Sequence, residues 1–145
     1  MKSFLLIGKV PQIKWGNLLD NIFFEGNVPE GYSLAISPSK GYVVVDVDFD
    51  LENNKNGFIS IPLELRMELE ATFNYETKRK GRHYWFRYSG TKELGNKTSS
   101  YSIDLRTHKG YVVYYPKDDM RNNLHLVNET SLVLNKWLEK LFSYV

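Results

Sequence analysis

Cysteine is absent from this chain of 145 residues. Disulfides and thiolate metal sites are therefore excluded, and a reducing cytoplasm fits as the compartment. Long apolar runs are missing too. Met1 to Val10 is too short to span a bilayer and has no small-residue cleavage signature, so it reads as structure and no membrane is expected. There is no Gly-x4-Gly-Lys-Thr phosphate loop, no cysteine–histidine zinc element, no internal repeat and no low-complexity tract. Neither sign of charge dominates: the formal net charge is +2, which by itself says little about partners. What remains is a chain with 42% apolar residues, 14% aromatics and ten tyrosines, which suits a β-rich core or a stacking surface. Its length predicts a single compact domain over residues 1–145.

Charge is segregated along the chain. Residues 46–54 hold Asp46, Asp48, Asp50 and Glu52 with no base, and residues 78–82 hold Lys78, Arg79, Lys80 and Arg82 with no acid. Folded toward each other, the two clusters would suit a metal ion and a polyphosphate. Folded apart, each is a solvated surface.

Within Gly41-Tyr42-Val43-Val44-Val45-Asp46-Val47-Asp48-Phe49 the side chains of a strand alternate in direction. Val43, Val45, Val47 and Phe49 then share a core-facing side, while Asp46 and Asp48 project together from the other, their β-carbons about 6.5–7 Å apart. Carboxylates so close repel unless protonated, solvated or bridged by a cation, and hard divalent cations take such oxygen pairs. The competing reading ends the strand here and gives the acids to an Asp-rich loop running to Asn56.

The rest of the pattern predicts an α+β fold with a mainly antiparallel sheet and flanking helices. Ile13 to Phe24 has apolar residues at roughly helical spacing. Tyr32–Ser37 reads as a strand joined through a Pro38–Gly41 hairpin turn to Tyr42–Phe49. Residues 61–73 alternate like a strand, yet they are rich in strong helix formers behind Ser60 and Pro62, so helix to about Ala71 and strand from Thr72 is expected. His83–Tyr88, Tyr101–Arg106 and Tyr111–Tyr115 read as strands. Ser131–Phe142 reads as an amphipathic helix.

Two further segments carry candidate chemistry. In Ser102-Ile103-Asp104-Leu105-Arg106, alternation puts Asp104 and Arg106 on one face, either as a surface ion pair or as part of a site; strands deplete aspartate. In Arg82-His83-Tyr84-Trp85-Phe86-Arg87, His83 shares a face with Trp85 and Arg87. His108 and His125 are lone loop histidines without a partner pattern.

In order, then, the chain has Val45-Asp46-Val47-Asp48, Lys80-Gly81-Arg82-His83-Tyr84-Trp85-Phe86, and Ile103-Asp104-Leu105-Arg106 through Gly110-Tyr111-Val112-Val113. This series resembles the primase-polymerase domain of the archaeo-eukaryotic primase superfamily, of the phage and plasmid type, over roughly residues 29–116. That family carries an Asp-x-Asp/Glu motif, a small-x-His motif and a third acid, here within Asp-x-Arg. The basic Lys78-Arg79-Lys80 departs from the Ser/Gly-rich residues usual before the histidine. The resemblance implies an RRM-like catalytic core and a DNA primase/polymerase working on a single-stranded DNA template with nucleoside triphosphates. It further implies two Mg2+ or Mn2+ ions held by Asp46, Asp48 and Asp104 as catalytic residues. His83, Arg82, Lys80 and Arg106 would bind the nucleotide. A helicase, on the same or a separate chain, would be a further partner. Tyr84 or Trp85 could stack on bases, the other belonging to the core. The alternative is a non-catalytic replication module that keeps the fold and binds nucleic acid or nucleotide.

Overall fold

The structure is a computed structural model and describes residues 1–142. In chain order its strands begin with β1 Lys2–Ile7, β2 Val10–Pro11, β3 Tyr32–Ser37, β4 Tyr42–Val47, β5 Phe49–Asp50 and β6 Lys55–Asn56. Helix α1 Leu63–Ala71 follows, then β7 Asn74–Glu76, β8 Arg82–Arg87, β9 Lys97–Thr98, β10 Ile103–Arg106, β11 Val112–Val113, β12 Asn128–Glu129 and helix α2 Leu132–Phe142. The class is mixed α and β with mainly antiparallel sheets, as expected.

The strands form two larger sheets. One has the order β11-β3-β1-β2, and the other β12-β8-β4-β10-β9 with β7 also on β8. Every pairing is antiparallel except that of β12 with β8. β4 lies inside the second sheet and is apolar on both faces, as a doubly covered strand must be. Val43, Val45 and Val47 pack with Leu65 and Leu69 of α1 and with Leu134, Leu138 and Phe142 of α2. On the reverse face Val44 and Trp85 pack with Met1, Ile36, Val112 and Tyr114 of the first sheet and the loop beyond it. Helices, second sheet and first sheet are thus successive layers. Fully burying one such aliphatic or aromatic side chain is worth about 1.5–3 kcal/mol.

This layering corrects the expected hairpin of β3 with β4. Pro38–Gly41 does turn, with Tyr42 N donating to Ser39 O at 3.0 Å and Gly41 at φ +93°. However, it carries the chain from one sheet to the other. Both edges of β4 go to β8 and β10, and the exposed face of Val44 is covered by Ile36 of β3. The 107–110 turn makes the same crossing between β10 and β11.

Ile13 to Phe24 is not a helix. Only Trp15–Asn17 makes a 3-10 turn, and the rest runs along the first sheet, with Ser3 N donating to Ile22 O (3.0 Å) and Phe24 N to the Ser3 hydroxyl (2.7 Å). Gly16, Asn17, Asp20 and Asn21 are poor helix formers, and Asn21 takes a left-handed φ of 65°. The apolar residues serve different partners: Trp15 stacks on Phe4, while Phe23 joins the cluster around Trp85. The conflict over residues 61–73 resolves as helix to Ala71, with Pro62 rather than Ser60 at the N-terminal boundary and no side-chain cap. At α2 the cap is Ser131, whose hydroxyl accepts from Leu134 N at 3.1 Å.

Candidate active site

Register puts the chemistry-bearing residues in one row. Tyr75 of β7 lies opposite His83 of β8, His83 opposite Asp46 of β4, Asp46 opposite Asp104 of β10, and Asp104 opposite Thr98 of β9. Neighbouring strands stand about 4.7–4.9 Å apart, so residues 58 positions apart in sequence, Asp46 and Asp104, become near neighbours. All face away from the helices, because Tyr84, Val45, Val47, Ile103 and Leu105 fill the helix side.

Asp48 lies one residue past the end of β4. Its N–H donates to Ser102 O and its carbonyl accepts from Gly57 N, both at 2.9 Å. The fold at this end depends on glycines. A β-carbon on Gly81 would come within 2.3 Å of Val47 O, and one on Gly57 within 2.4 Å of Ser102 O. That close approach gives a structural reason for the small residue two positions before His83.

Electrostatics register the crowding of carboxylates. Burial, then the charges of Asp46 and Asp104, push Asp48 up from 3.8 to about 6, against the pull of Lys55 and His83. Asp104 is also raised, chiefly by burial and further by Asp46, while Arg106 and Lys55 pull it down. His83 Nε2 lies 3.2 Å from Asp46 Oδ1, and Arg106 Nη2 3.3 Å from Asp104 Oδ2. An all-oxygen donor set whose members repel one another suits a hard divalent cation. As the side chains stand, no three His, Asp or Glu groups among the described residues converge to hold one.

The acidic and basic clusters fold toward each other. Residues 77–81 form the tip of the β7–β8 hairpin, with Thr77 N donating to Gly81 O and Lys80 N to Thr77 O, and Lys80 at φ 66°. Arg79 Nη1 reaches Asp50 Oδ2 at 3.0 Å. Lys78 and Lys80 are exposed on the same tip. Arg82 is not brought to this face: its guanidinium donates to Asn74 Oδ1 at 2.6 Å on the α1 side, beside Tyr84. Tyr84 and Trp85 are both buried, at 5% and 0% exposure, so neither can stack on a base.

Three residues of the site escaped sequence reasoning. Lys55 of β6 is the cation that opposes the raised values of both Asp48 and Asp104. Tyr115 stands beside His83, ring centroids 6.3 Å apart, and also lines a groove of about 590 Å³ with Phe24, Tyr32 and Asp118. Tyr75 holds the other side of His83, its hydroxyl 3.1 Å from Nδ1. The alternation of Phe73 and Tyr75 offered a faint signal for the last; nothing local marked Lys55.

A sequence family described as bifunctional DNA primase/polymerase, N-terminal (Prim-Pol), matches residues 12–136. The chain belongs to the Prim-Pol family. No protein in the curated collection of known proteins matches it. The match spans every strand of the row, from before β3 into α2, so membership and geometry concern the same part of the Prim-Pol chain. No helix among the described residues is long and apolar enough to cross a membrane.

Proposed function

We propose that this Prim-Pol domain is a DNA primase/polymerase that joins nucleotides on a single-stranded DNA template. The observation that carries the reading is the row of His83, Asp46 and Asp104 on three adjacent strands, with Asp48 just past the end of β4 and near both other acids. In this reading the second sheet serves as the RRM-like core of the family. Asp46, Asp48 and Asp104 are the residues that would hold two Mg2+ or Mn2+ ions. Such ions supply charge neutralisation at an attacking 3′-oxygen and at departing pyrophosphate.

The protein's own groups have separable tasks. In its imidazolium form His83 donates from Nε2 to a phosphate oxygen of the incoming triphosphate. Lys78, Arg79 and Lys80 surround the same edge with positive potential and receive the rest of the phosphates. Arg106 steadies Asp104. The groove beyond Tyr115, which stands beside both it and His83, would take the base and sugar of the nucleotide. A helicase, on this or a separate chain, would open the template.

Incubation with primed single-stranded DNA, labelled nucleotides and manganese or magnesium tests the reading. The parent should extend the primer, while Asp46→Asn and Asp104→Asn should each lose activity by about 10²–10³-fold with template affinity retained. A well-folded parent that binds DNA and incorporates nothing at any ion concentration would instead favour a non-catalytic binding module.

A further inference from the structure

The Tyr75 hydroxyl is a three-way node inside the protein. It sits 3.2 Å from the indole Nε1 of Trp85, 3.2 Å from the carbonyl of Val113 and 3.1 Å from Nδ1 of His83. Tyr75, Trp85 and His83 are 8%, 0% and 5% exposed, so these partners are not exchanged for bulk water. A phenol has one hydrogen to give and two lone pairs to receive.

The three partners leave one consistent assignment. Indole N–H can only donate, so it occupies one lone pair. The Val113 carbonyl can only accept, so it takes the phenol's hydrogen. The remaining lone pair faces Nδ1 of His83, which must therefore carry a hydrogen of its own. Free histidine in its neutral form prefers the hydrogen on Nε2, so the node reverses the ordinary preference. Nε2, 3.2 Å from Asp46 Oδ1, is left as the nitrogen presented to the site.

We infer that Tyr75 is a positioning residue that fixes the His83 hydrogen on Nδ1 and aims Nε2 across the row toward Asp46. Its functional value rests on the proposed nucleotidyl transfer, since Nε2 is the atom assigned to the triphosphate. The edge-on contact of the two rings, centroids 5.2 Å apart and planes at 74°, holds the imidazole against rotation.

The test uses the full chain with 15N-labelled histidine. Long-range proton–nitrogen spectra, taken where the ring is neutral, should show His83 of the parent as the Nδ1–H tautomer. In Tyr75→Phe, which keeps the ring and removes the hydroxyl, that pattern should shift toward Nε2–H. The nucleotide KM should rise on the order of ten-fold with a smaller change in kcat. An Nε2–H pattern in the parent overturns the inference without need of any variant, as does an unchanged Nδ1–H pattern in a folded Tyr75→Phe. An Nδ1–H pattern in a parent that incorporates no nucleotide supports the tautomer assignment and refutes the polymerase reading instead.

Discussion

Asp48 should cost the ion-free protein stability at neutral pH, and removing its charge should return it. Its carboxyl is raised from 3.8 to about 6 by burial and by the charges of Asp46 and Asp104. A carboxyl raised on folding contributes stability that is fully present below its unfolded value, near 4, and lost as pH rises through the folded value, near 6. At about 1.4 kcal/mol per unit the shift corresponds to about 3 kcal/mol. Because the group is partly exposed, solvent screening reduces this to about 1–2 kcal/mol. For a chain of 145 residues that is roughly 3–6 °C in Tm. Thermal melts or urea titrations of parent and Asp48→Asn in EDTA should therefore show the variant more stable at pH 7.5 and indistinguishable from the parent near pH 3.5. Magnesium or manganese should then raise the parent's Tm and leave the variant's nearly unmoved. Equal stability at pH 7.5, or the same gain at both pH values, would refute the reasoning.

Gly81→Ala should lose about 1–3 kcal/mol in urea denaturation, because its β-carbon meets the Val47 carbonyl at 2.3 Å and backbone cannot move aside cheaply. Lys55→Met should push the Asp48 midpoint, followed by carboxyl NMR titration, higher still, since that cation pulls it down. Lys80→Ala should raise the nucleotide KM several-fold. Arg82→Ala should leave KM nearly unchanged and lower stability by about 1–2 kcal/mol through loss of its bond to Asn74; the reverse ranking, read from steady-state kinetics and melts of the two variants, would place the phosphates on the α1 side.

The site was more legible than the fold around it, and the reason is the period of a strand. Alternation fixes which face a residue occupies without reference to what its strand pairs with, so Asp46 beside Asp48 and Asp104 beside Arg106 could be assigned from their own segments. Partner choice has no such local rule. Pro38–Gly41 has the composition of a hairpin turn, yet the strands on either side of it join different sheets, because β4 is apolar on both faces and needs β3 above it rather than beside it. Ile13–Phe24 misled for a related cause: its apolar residues serve two separate clusters, and their spacing imitates a helix only by coincidence. Arg82 shows the opposite limit. Proximity in sequence to His83 suggested a shared role, but consecutive strand residues face opposite ways, and the same alternation that sends His83 toward Asp46 sends Arg82 toward α1. Where neighbours along the chain are counted as neighbours in a site, a strand therefore misleads at every odd step. In the proposed reading the bases of the hairpin tip join His83 on a phosphate, because there the backbone turns and the alternation ends.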